Sequence, residues 1–184
     1  MTEPFLEACL RADKRGAEAG IKLRLSRNWL DETDLIGMRL EEFRAEPAYA
    51  SWGLRAIGLA ARRVMIGHIG FHSLPNPDYL HPYWPDAVEL AYAIYPRYRR
   101  CGYGYEATKA MLRWAAHTAY VRYFLLSVAE ENVASRGLAE KLGFVKALEY
   151  HDEQLSPRYV YVLDGETLPR RVGAHSGKSP GPRL

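Results

Sequence analysis

Residues 99–104, with the sequence RRCGYG, constrain the fold more than any other part of this chain. They join an apolar run typical of a strand to a run with helical periodicity, and Gly102 and Gly104 stand at the junction. The first backbone N–H groups of a helix have no partner within it, and the helix dipole adds partial positive charge. Glycines there let a phosphate group approach the main chain closely, so the segment predicts a phosphate-binding turn between a strand and a helix. Its rim carries three arginines: Arg97, Arg99 and Arg100.

The chain around this turn is long enough for one domain with a buried core. Its 184 residues are 48% hydrophobic and 26% charged, as in an ordinary globular protein. No apolar run reaches the roughly 18 residues that span a bilayer, and the segment from Met1 to Ala12 lacks the pattern of a signal peptide. Cys9 and Cys101 are too few for a disulfide framework. We therefore expect a cytoplasmic protein that does not act in a membrane.

The formal net charge of +3 is concentrated at the end of the chain. Residues 165–184 contain four basic residues and one acidic residue, many Pro and Gly, and no apolar periodicity. We predict a single domain over residues 1–164 and a disordered basic tail over residues 165–184. No aromatic residues are interleaved for base stacking, and the rest of the chain is balanced in charge, so nucleic acid is not an expected partner.

The periodicity predicts helices first and a sheet afterwards. Phe5 to Ala19 has helical spacing, with Phe5, Leu6, Cys9 and Leu10 on one stripe, and a second helix opens near Asp31 or Thr33 and closes before Pro47. Strands alternate with helices beyond this point, which implies a crossover unit on a mixed sheet. The predicted elements are a hairpin of Trp52–Ala60 and Val64–Phe71, a loop over Pro75–Asp86, strand Val88–Tyr95, helix Glu106–Thr118, strand Tyr123–Val128, a helix capped by Asn132 and stopped by Gly143, and an antiparallel pair of Phe144–Tyr150 and Tyr159–Leu163.

This order of motifs resembles the GNAT family of acyl-CoA-dependent N-acetyltransferases. The resemblance covers about residues 52–163, and its details are most similar to the branch of the ribosomal-protein N-terminal acetyltransferases. Two motifs carry it: residues 99–104, and the run from Glu131-Asn132-Val133-Ala134-Ser135 to Lys141-Leu142-Gly143-Phe144. It implies an α/β (α+β) fold with a mixed, mostly antiparallel, twisted sheet, in which a central parallel pair of strands splays apart between flanking helices.

The resemblance also implies acetyl-CoA as cosubstrate. Backbone amides from Arg99 to Gly104 would bind its pyrophosphate, and the main chain from Ala93 to Tyr95 would pair with its pantetheine arm. Asn132 would bond to that arm and Ser135 would lie near the thioester sulfur, although a plain helix cap and local hydrogen bonding explain these two residues as well. The implied cofactor-binding residues are Ala93, Ile94, Tyr95, Arg99, Arg100, Cys101, Gly102, Tyr103, Gly104, Asn132 and Ser135.

Acetyl transfer to an amine requires a proton acceptor, because a protonated amine cannot attack. Glu89 is the candidate base, and its apolar neighbours in the strand predict a raised pKa. An outward-facing strand carboxylate is the alternative. Many members of the family supply a tyrosine acid four residues before the Gly of the Gly-Phe pair, but this chain has Ala139 there, so Ser135 is the second candidate catalytic residue.

Other conspicuous residues receive plainer interpretations. His68 and His72 share a strand face, but no third ligand at suitable spacing supports a metal site, so no metal is expected and one of them would line the acceptor groove. Cys101 is interpreted as a loop residue that contributes its backbone N–H. The aromatic residues of the long loop form an acceptor wall or pack on the surface: Tyr79, Tyr83 and Trp84.

The sequence leaves several questions open. The leading hypothesis is acetyl transfer to a primary amine of a small molecule or a protein N-terminus, and the alternative is a CoA-binding module without catalysis. A Rossmann-like nucleotide site fits poorly, because Ala107 stands at the third glycine position. The usual first strand of the family is missing or displaced to Ile21–Leu25, and an exposed sheet edge would favour a homodimer.

Overall fold

The computed structural model describes residues 1–118, 121–152 and 155–168, with the backbone alone for residues 118, 150–152, 155 and 156. None of the helices in these ranges is both long and apolar enough to cross a membrane. The helices are α1 (Glu3–Leu10), α2 (Lys14–Ile21), α3 (Arg27–Leu30), α4 (Thr33–Ala45), α5 (Tyr103–Thr118) and α6 (Val133–Lys141). The strands are β1 (Arg55–Leu59), β2 (Val64–Phe71), β3 (Ala87–Ile94), β4 (Tyr123–Ala129), β5 (Val145–Asp152) and β6 (Leu155–Asp164).

The strands form one mixed sheet in the order β1-β2-β3-β4-β6-β5. Neighbouring strands are antiparallel except β3 and β4, which are parallel because α5 carries the chain across from one to the other. This confirms the α/β fold and the mixed, mostly antiparallel sheet predicted from the sequence. The predicted hairpins, the long loop and the helix between β3 and β4 are confirmed as well, within a few residues at their ends.

The two central strands separate after a short parallel contact. Their register extends from Ala87 opposite Tyr123 to Glu89 opposite Leu125. Beyond this point β3 continues to pair with β2 and β4 continues to pair with β6, but within the described ranges no pairs join β3 to β4. Their carboxyl ends therefore diverge, as the family resemblance implied, and leave strand edges without a neighbour among the described residues.

Two groups of helices cover opposite faces of this sheet. Helices α1 to α4 bury one core that includes Phe5, Trp29 and Tyr95, whereas α5 and α6 pack over another that includes Val88 and Leu112. Successive side chains of a strand point to opposite faces. Residues at the odd positions of β3, such as Glu89, therefore lie on the face of α1 to α4, and the even positions lie beneath α5 and α6.

The predicted single helix over Phe5–Ala19 is wrong, because the chain breaks it into α1 and α2. Ala12 has φ of 56°, a left-handed conformation that a continuous helix cannot contain. Asp13 then caps α2, its Oδ1 accepting a hydrogen bond from the backbone N–H of Gly16 at 2.9 Å. As a consequence Leu10 is left exposed instead of lying on the buried stripe.

No strand forms over Ile21–Leu25, where the sequence allowed a displaced first strand. Within the described residues this segment makes one isolated parallel bridge, between Arg24 and Val64. At the other end of the domain, residues 165–167 form a short 3-10 turn, in which the N–H of Glu166 donates to the side chain of Asp164. The rest of the predicted tail, residues 169–184, lies outside the described residues.

Candidate active site

The gap between β3 and β4 offers main-chain groups to a ligand. Beyond the divergence β3 pairs with β2 alone, and Ile94 directs its main-chain groups to the open side, because Ala93 and Tyr95 direct theirs to β2. Tyr95 donates its N–H to the carbonyl oxygen of Ile66 at 2.9 Å, so this donor is already used. An amide-bearing chain can hydrogen-bond to an open strand edge as an added strand would.

Helix α5 begins beside the end of β3 with unpaired N–H groups. The first backbone hydrogen bond at the start of this helix runs from the N–H of Glu106 to the carbonyl oxygen of Gly102, at 3.1 Å. In the described part of the chain no acceptor takes the N–H groups of Tyr103, Gly104 and Tyr105. A helix of 16 residues therefore presents free donors and the positive end of its dipole at this point.

The turn itself brings positive charge to the same place. Arg100 and Gly102 both have left-handed backbones, with φ of 63° and 83°. Arg99 is anchored, because its Nε donates to the carbonyl oxygen of Ile94 at 2.9 Å. Arg97, Arg99, Arg100 and Cys101 are all exposed to solvent. The predicted phosphate-binding residues are thus gathered around one helix N-terminus.

The two glycines of the turn serve different purposes. A Cβ on Gly102 would meet open space, so the need for glycine there comes from its positive φ. A Cβ on Gly104 would lie 3.4 Å from Leu138, 3.5 Å from Ile94 and 3.8 Å from Tyr92. Gly104 therefore allows α5 to pack closely against α6 and β3, in addition to presenting its N–H.

Helix α6 lines the other side of the gap. The side-chain oxygen of Asn132 accepts a hydrogen bond from the backbone N–H of Ser135 at 3.1 Å, so Asn132 caps the helix. The hydroxyl of Tyr92, on the even face of β3, is buried and has no hydrogen-bond partner among the described residues. Burial raises the pKa of Tyr92, and the neighbouring Ser135 opposes this rise.

Glu89 lies on the opposite face of β3, within a small polar cluster. Its carboxylate oxygen is 3.5 Å from Nδ1 of His72 and accepts a hydrogen bond from the hydroxyl of Tyr79 at 3.3 Å. The side chain of Glu89 is 12% exposed and that of His72 is 39% exposed. The cluster thus combines a half-buried carboxylate with an exposed imidazole.

The predicted rise in the pKa of Glu89 is wrong. Burial does raise the pKa of its carboxyl group, but hydrogen bonds from His72, Ser127 and Tyr79 and the charge of His72 outweigh burial. The pKa therefore lies below its usual value, and Glu89 is ionised at neutral pH. Burial and the nearby charge of Glu89 also raise the pKa of Tyr79 to about 12, so this phenol keeps its proton.

Hydrogen bonds hold helix α4 against the strand end beside this cluster. Nη1 of the buried Arg39 bonds to the hydroxyl of Tyr49 at 2.9 Å and to a carboxylate oxygen of Glu42 at 2.6 Å. Tyr49 in turn donates to the carbonyl oxygen of Phe71 at 2.5 Å. Because Phe71 directly precedes His72, these bonds fix the main chain from which the imidazole extends.

His68 and His72 have separate partners. Nε2 of the buried His68 lies 2.8 Å from a carboxylate oxygen of Glu32, and burial lowers the pKa of His68 although Glu32 opposes this. Within the described ranges no group of three metal-ligating residues occurs. The aromatic residues of the long loop also have separate surroundings. Tyr79 joins the Glu89 cluster, whereas the exposed Tyr83 contacts Trp84, and Trp84 packs against a small core that includes Leu80 and Val160.

Sequence reasoning misses several residues of the Glu89 cluster and of the group that Tyr92 and Ser135 form on the α6 side. It marks His72 only by its strand face and Tyr79 only as a loop aromatic, and it does not distinguish Tyr92 and Ser127 from ordinary strand residues. One signal is available for His72, because a hairpin register that pairs β2 with β3 sets it opposite Glu89. Tyr92 and Ser135 lie 43 positions apart, and no pattern in the sequence links them.

Comparison with known proteins agrees with this architecture. The family model described as an acetyltransferase (GNAT) domain matches residues 7–145, well over half of the chain. None of the curated proteins matches the sequence. The solved structures with similar folds include the ribosomal-protein-S5-alanine acetyltransferase from Vibrio fischeri, at 12% identity and a TM-score of 0.63 over 92% of this chain and 93% of that one.

Two further structures have the same fold. A point mutant of the spermidine N-acetyltransferase SpeG from Vibrio cholerae is 16% identical, with a TM-score of 0.59 over 75% of this chain and 80% of that one. A GNAT-family acetyltransferase from Bacillus anthracis is 19% identical, with a TM-score of 0.56 over 74% of this chain and 75% of that one. At these identities the structures establish the fold alone. Together with the match over residues 7–145, they show that the chain belongs to the GNAT acetyltransferase family.

Proposed function

We propose that this protein transfers an acetyl group from acetyl-CoA directly to a primary amine of a small molecule or a protein N-terminus. One observation carries the proposal: the open edges of the diverging strands β3 and β4 lead from the free N–H groups of α5 to the Glu89 cluster. A long ligand with phosphates at one end, amides in the middle and a reactive group at the other fits this succession of chemistry. Acetyl-CoA has that composition.

The cofactor contacts follow from the groups that are free. The N–H groups of Tyr103, Gly104 and Tyr105 and the exposed arginines would bind the pyrophosphate. The open edge of β3 would pair with the pantetheine arm through the N–H of Ile94, because the Ile94 carbonyl oxygen already accepts from Arg99 and the main chain of Ala93 faces β2. Asn132 uses its oxygen for the helix cap, so its amide NH₂ remains to bond the arm.

The chemistry requires groups on both sides of the thioester. Glu89 and its partners would face the acceptor amine as it loses a proton, and the ionised carboxylate would stabilise positive charge there. On the α6 side, Ser135 would donate a hydrogen bond to the sulfur as the thiolate leaves, with Tyr92 beside it. Glu89 and Ser135 are thus proposed to support the reaction, Glu89 through its charge on the acceptor side and Ser135 through a hydrogen bond to the sulfur.

The class of acceptor is proposed more broadly than the cofactor. Spermidine and ribosomal-protein acetyltransferases are both among the structures with this fold, and both classes of acceptor are amines. The test is therefore an acetyl-CoA turnover assay, with thiol release measured across a panel that contains spermidine, other primary amines and alanine-initiated peptides. We expect turnover with at least one acceptor and N-acetylated product by mass spectrometry.

The absence of a tyrosine at Ala139 leaves a second candidate function, a CoA-binding module without catalysis. Calorimetric titration with CoA distinguishes the two only together with the turnover assay, because both functions predict CoA binding. Binding of CoA without turnover on any amine would support the module, and absence of both would contradict the CoA site itself.

A further inference from the structure

We propose that His72 is the group that takes the proton from the acceptor amine, and that Glu89 holds the imidazole in place for this task. The inference rests on the proposed function, because it assigns the proton acceptor of that reaction. It departs from the expectation that Glu89 itself is the base. It starts from the register of the hairpin formed by β2 and β3.

That register sets the two side chains side by side. The pair Phe71–Leu90 is the last of the β2–β3 ladder, and directly after it the backbone N–H of His72 donates to the carbonyl oxygen of Glu89 at 2.9 Å. Residues opposite each other in antiparallel strands carry their side chains on the same face. Nδ1 of His72 consequently lies 3.5 Å from Oε2 of Glu89.

Access differs between the two groups. With 39% of its side chain exposed, the imidazole can be reached by a substrate, whereas only 12% of the Glu89 side chain is exposed. In the part of the chain that the structure describes, no hydrogen-bond partner is found for Nε2 of His72. A bond from Nδ1–H to Glu89 leaves Nε2 as an open acceptor, the arrangement in which a carboxylate fixes the tautomer of a catalytic histidine.

The surrounding charges suit this division of roles. The Glu89 carboxyl has a pKa below its usual range and is therefore a weak base. Three groups from other segments face this pair: the neutral Tyr79, Ser127 on β4 and Arg39 on α4. The charge of Arg39 is balanced by Glu42. Glu89 therefore remains negative and stabilises the imidazolium that forms.

The proposed step is balanced in protons and electrons. Nε2 of His72 takes one proton from the ammonium group, and the neutral nitrogen then attacks the thioester carbon to form a C–N bond. The C–S bond breaks, sulfur leaves with the electron pair, and a second nitrogen proton reaches the sulfur. The imidazolium finally returns its proton to water, so the reaction yields the amide, the free thiol of CoA and one proton.

Kinetics of His72→Gln test the assignment, with His117→Gln on the opposite face of the sheet as matched control. We expect His72→Gln to lower kcat about a hundredfold while the KM for acetyl-CoA stays within about twofold. The acidic limb of the pH profile of kcat/KM should disappear, and added imidazole should restore activity to His72→Ala. His117→Gln should behave as wild type.

A double-mutant cycle tests whether Glu89 acts through His72. Glu89→Gln should slow the wild-type protein at least about tenfold but change the rate of His72→Gln by less than about twofold, because its partner is gone. Equal effects in both backgrounds would overturn the positioning role. A His72→Gln rate within about twofold of wild type, with the acidic limb intact, would overturn the assignment of His72.

A measurement that needs no turnover separates this inference from the proposed function. Long-range ¹H–¹⁵N spectra of the imidazoles report the tautomer of each neutral histidine, and His72→Gln assigns the signal. We expect Nδ1–H with bare Nε2 in wild type and loss of this preference in Glu89→Gln. The opposite tautomer in an active enzyme would overturn this inference alone. The expected tautomer in a protein that turns over no amine would overturn the proposed function, and the catalytic role of His72 with it.

Discussion

The side-chain oxygen of Asn132 accepts the backbone N–H of Ser135 at 3.1 Å, which joins two residues of the proposed cofactor site as a helix cap. Substitutions at Asn132 can therefore affect both stability and ligand binding. Asn132→Ala should lower the free energy of unfolding by about 1 kcal/mol, the usual cost of a lost cap. Urea unfolding of the free protein measures this.

Asn132→Asp separates the cap from ligand binding. Aspartate caps a helix about as well as asparagine, so we expect stability within about 0.5 kcal/mol of wild type. It has no NH₂ group to donate to the pantetheine arm, so the Kd of CoA should rise. An unchanged Kd by calorimetry would mean that Asn132 serves the helix alone.

Arg100 tests the phosphate site without disturbing the core. Arg100→Asn removes an exposed charge and retains a residue that tolerates a φ of 63°. We expect the variant to bind CoA more weakly than wild type, with a Kd that depends less on salt concentration. Its free energy of unfolding should be unchanged. Arg113→Asn, at an exposed position further along α5, is the control and should bind CoA as wild type does. Equal Kd values for both variants would argue against phosphate binding by residues 99–104.

Gly104→Glu should also abolish CoA binding, but the new side chain would crowd Leu138 as well.

Ser135→Ala tests the hydroxyl on the leaving-group side. A neutral hydrogen bond contributes about 0.5–1.5 kcal/mol, so its loss in the transition state should lower kcat about three- to tenfold. The KM for acetyl-CoA should change little. A wild-type kcat under conditions in which acetyl transfer limits the rate would remove Ser135 from the mechanism.

Tyr92→Phe and Tyr49→Phe should have opposite effects on stability. The Tyr92 hydroxyl is buried without a hydrogen-bond partner among the described residues, so its removal should raise the free energy of unfolding by about 1 kcal/mol. The Tyr49 hydroxyl bonds to Arg39 and Phe71, and its removal should be destabilising by a similar or larger amount. Denaturant unfolding of both variants decides the comparison, and a strongly destabilised Tyr92→Phe would show that the hydroxyl has a partner in solution.

The low pKa of Glu89 makes stability depend on pH. A carboxyl group whose pKa is lower in the folded than in the unfolded protein stabilises the fold above its ordinary value of 4.5. This contribution is lost as the pH falls through the folded pKa, because the unfolded chain then binds the proton more readily. We expect Glu89→Gln to reduce stability more at pH 7 than in acid. Equal differences in free energy of unfolding at pH 7 and at pH 3 would contradict the lowered pKa.

Local pattern determined much of this protein. The periodicities of 2 and 3.6 identified β2, β3, β4, α5 and α6, because each reports which side of an element faces a core. The order of the glycine-containing turn and the Asn-capped helix was enough to indicate the family. Ala12 shows the limit of such patterns, since helical spacing on both sides of it did not reveal the left-handed break between α1 and α2.

The sequence by itself determined most elements from β1 onward, their order and the position of the glycine-containing turn at residues 99–104, since these depend on neighbours in the chain. The tertiary structure alone decided which groups meet at the site. Register between β2 and β3 brings His72 to Glu89, and the approach of the loop brings Tyr79 to the same carboxylate. These contacts reverse the direction in which burial alone shifts the pKa of Glu89. That outcome depends on hydrogen bonds and charges supplied by separate elements, and the apolar neighbours within one strand could not predict it.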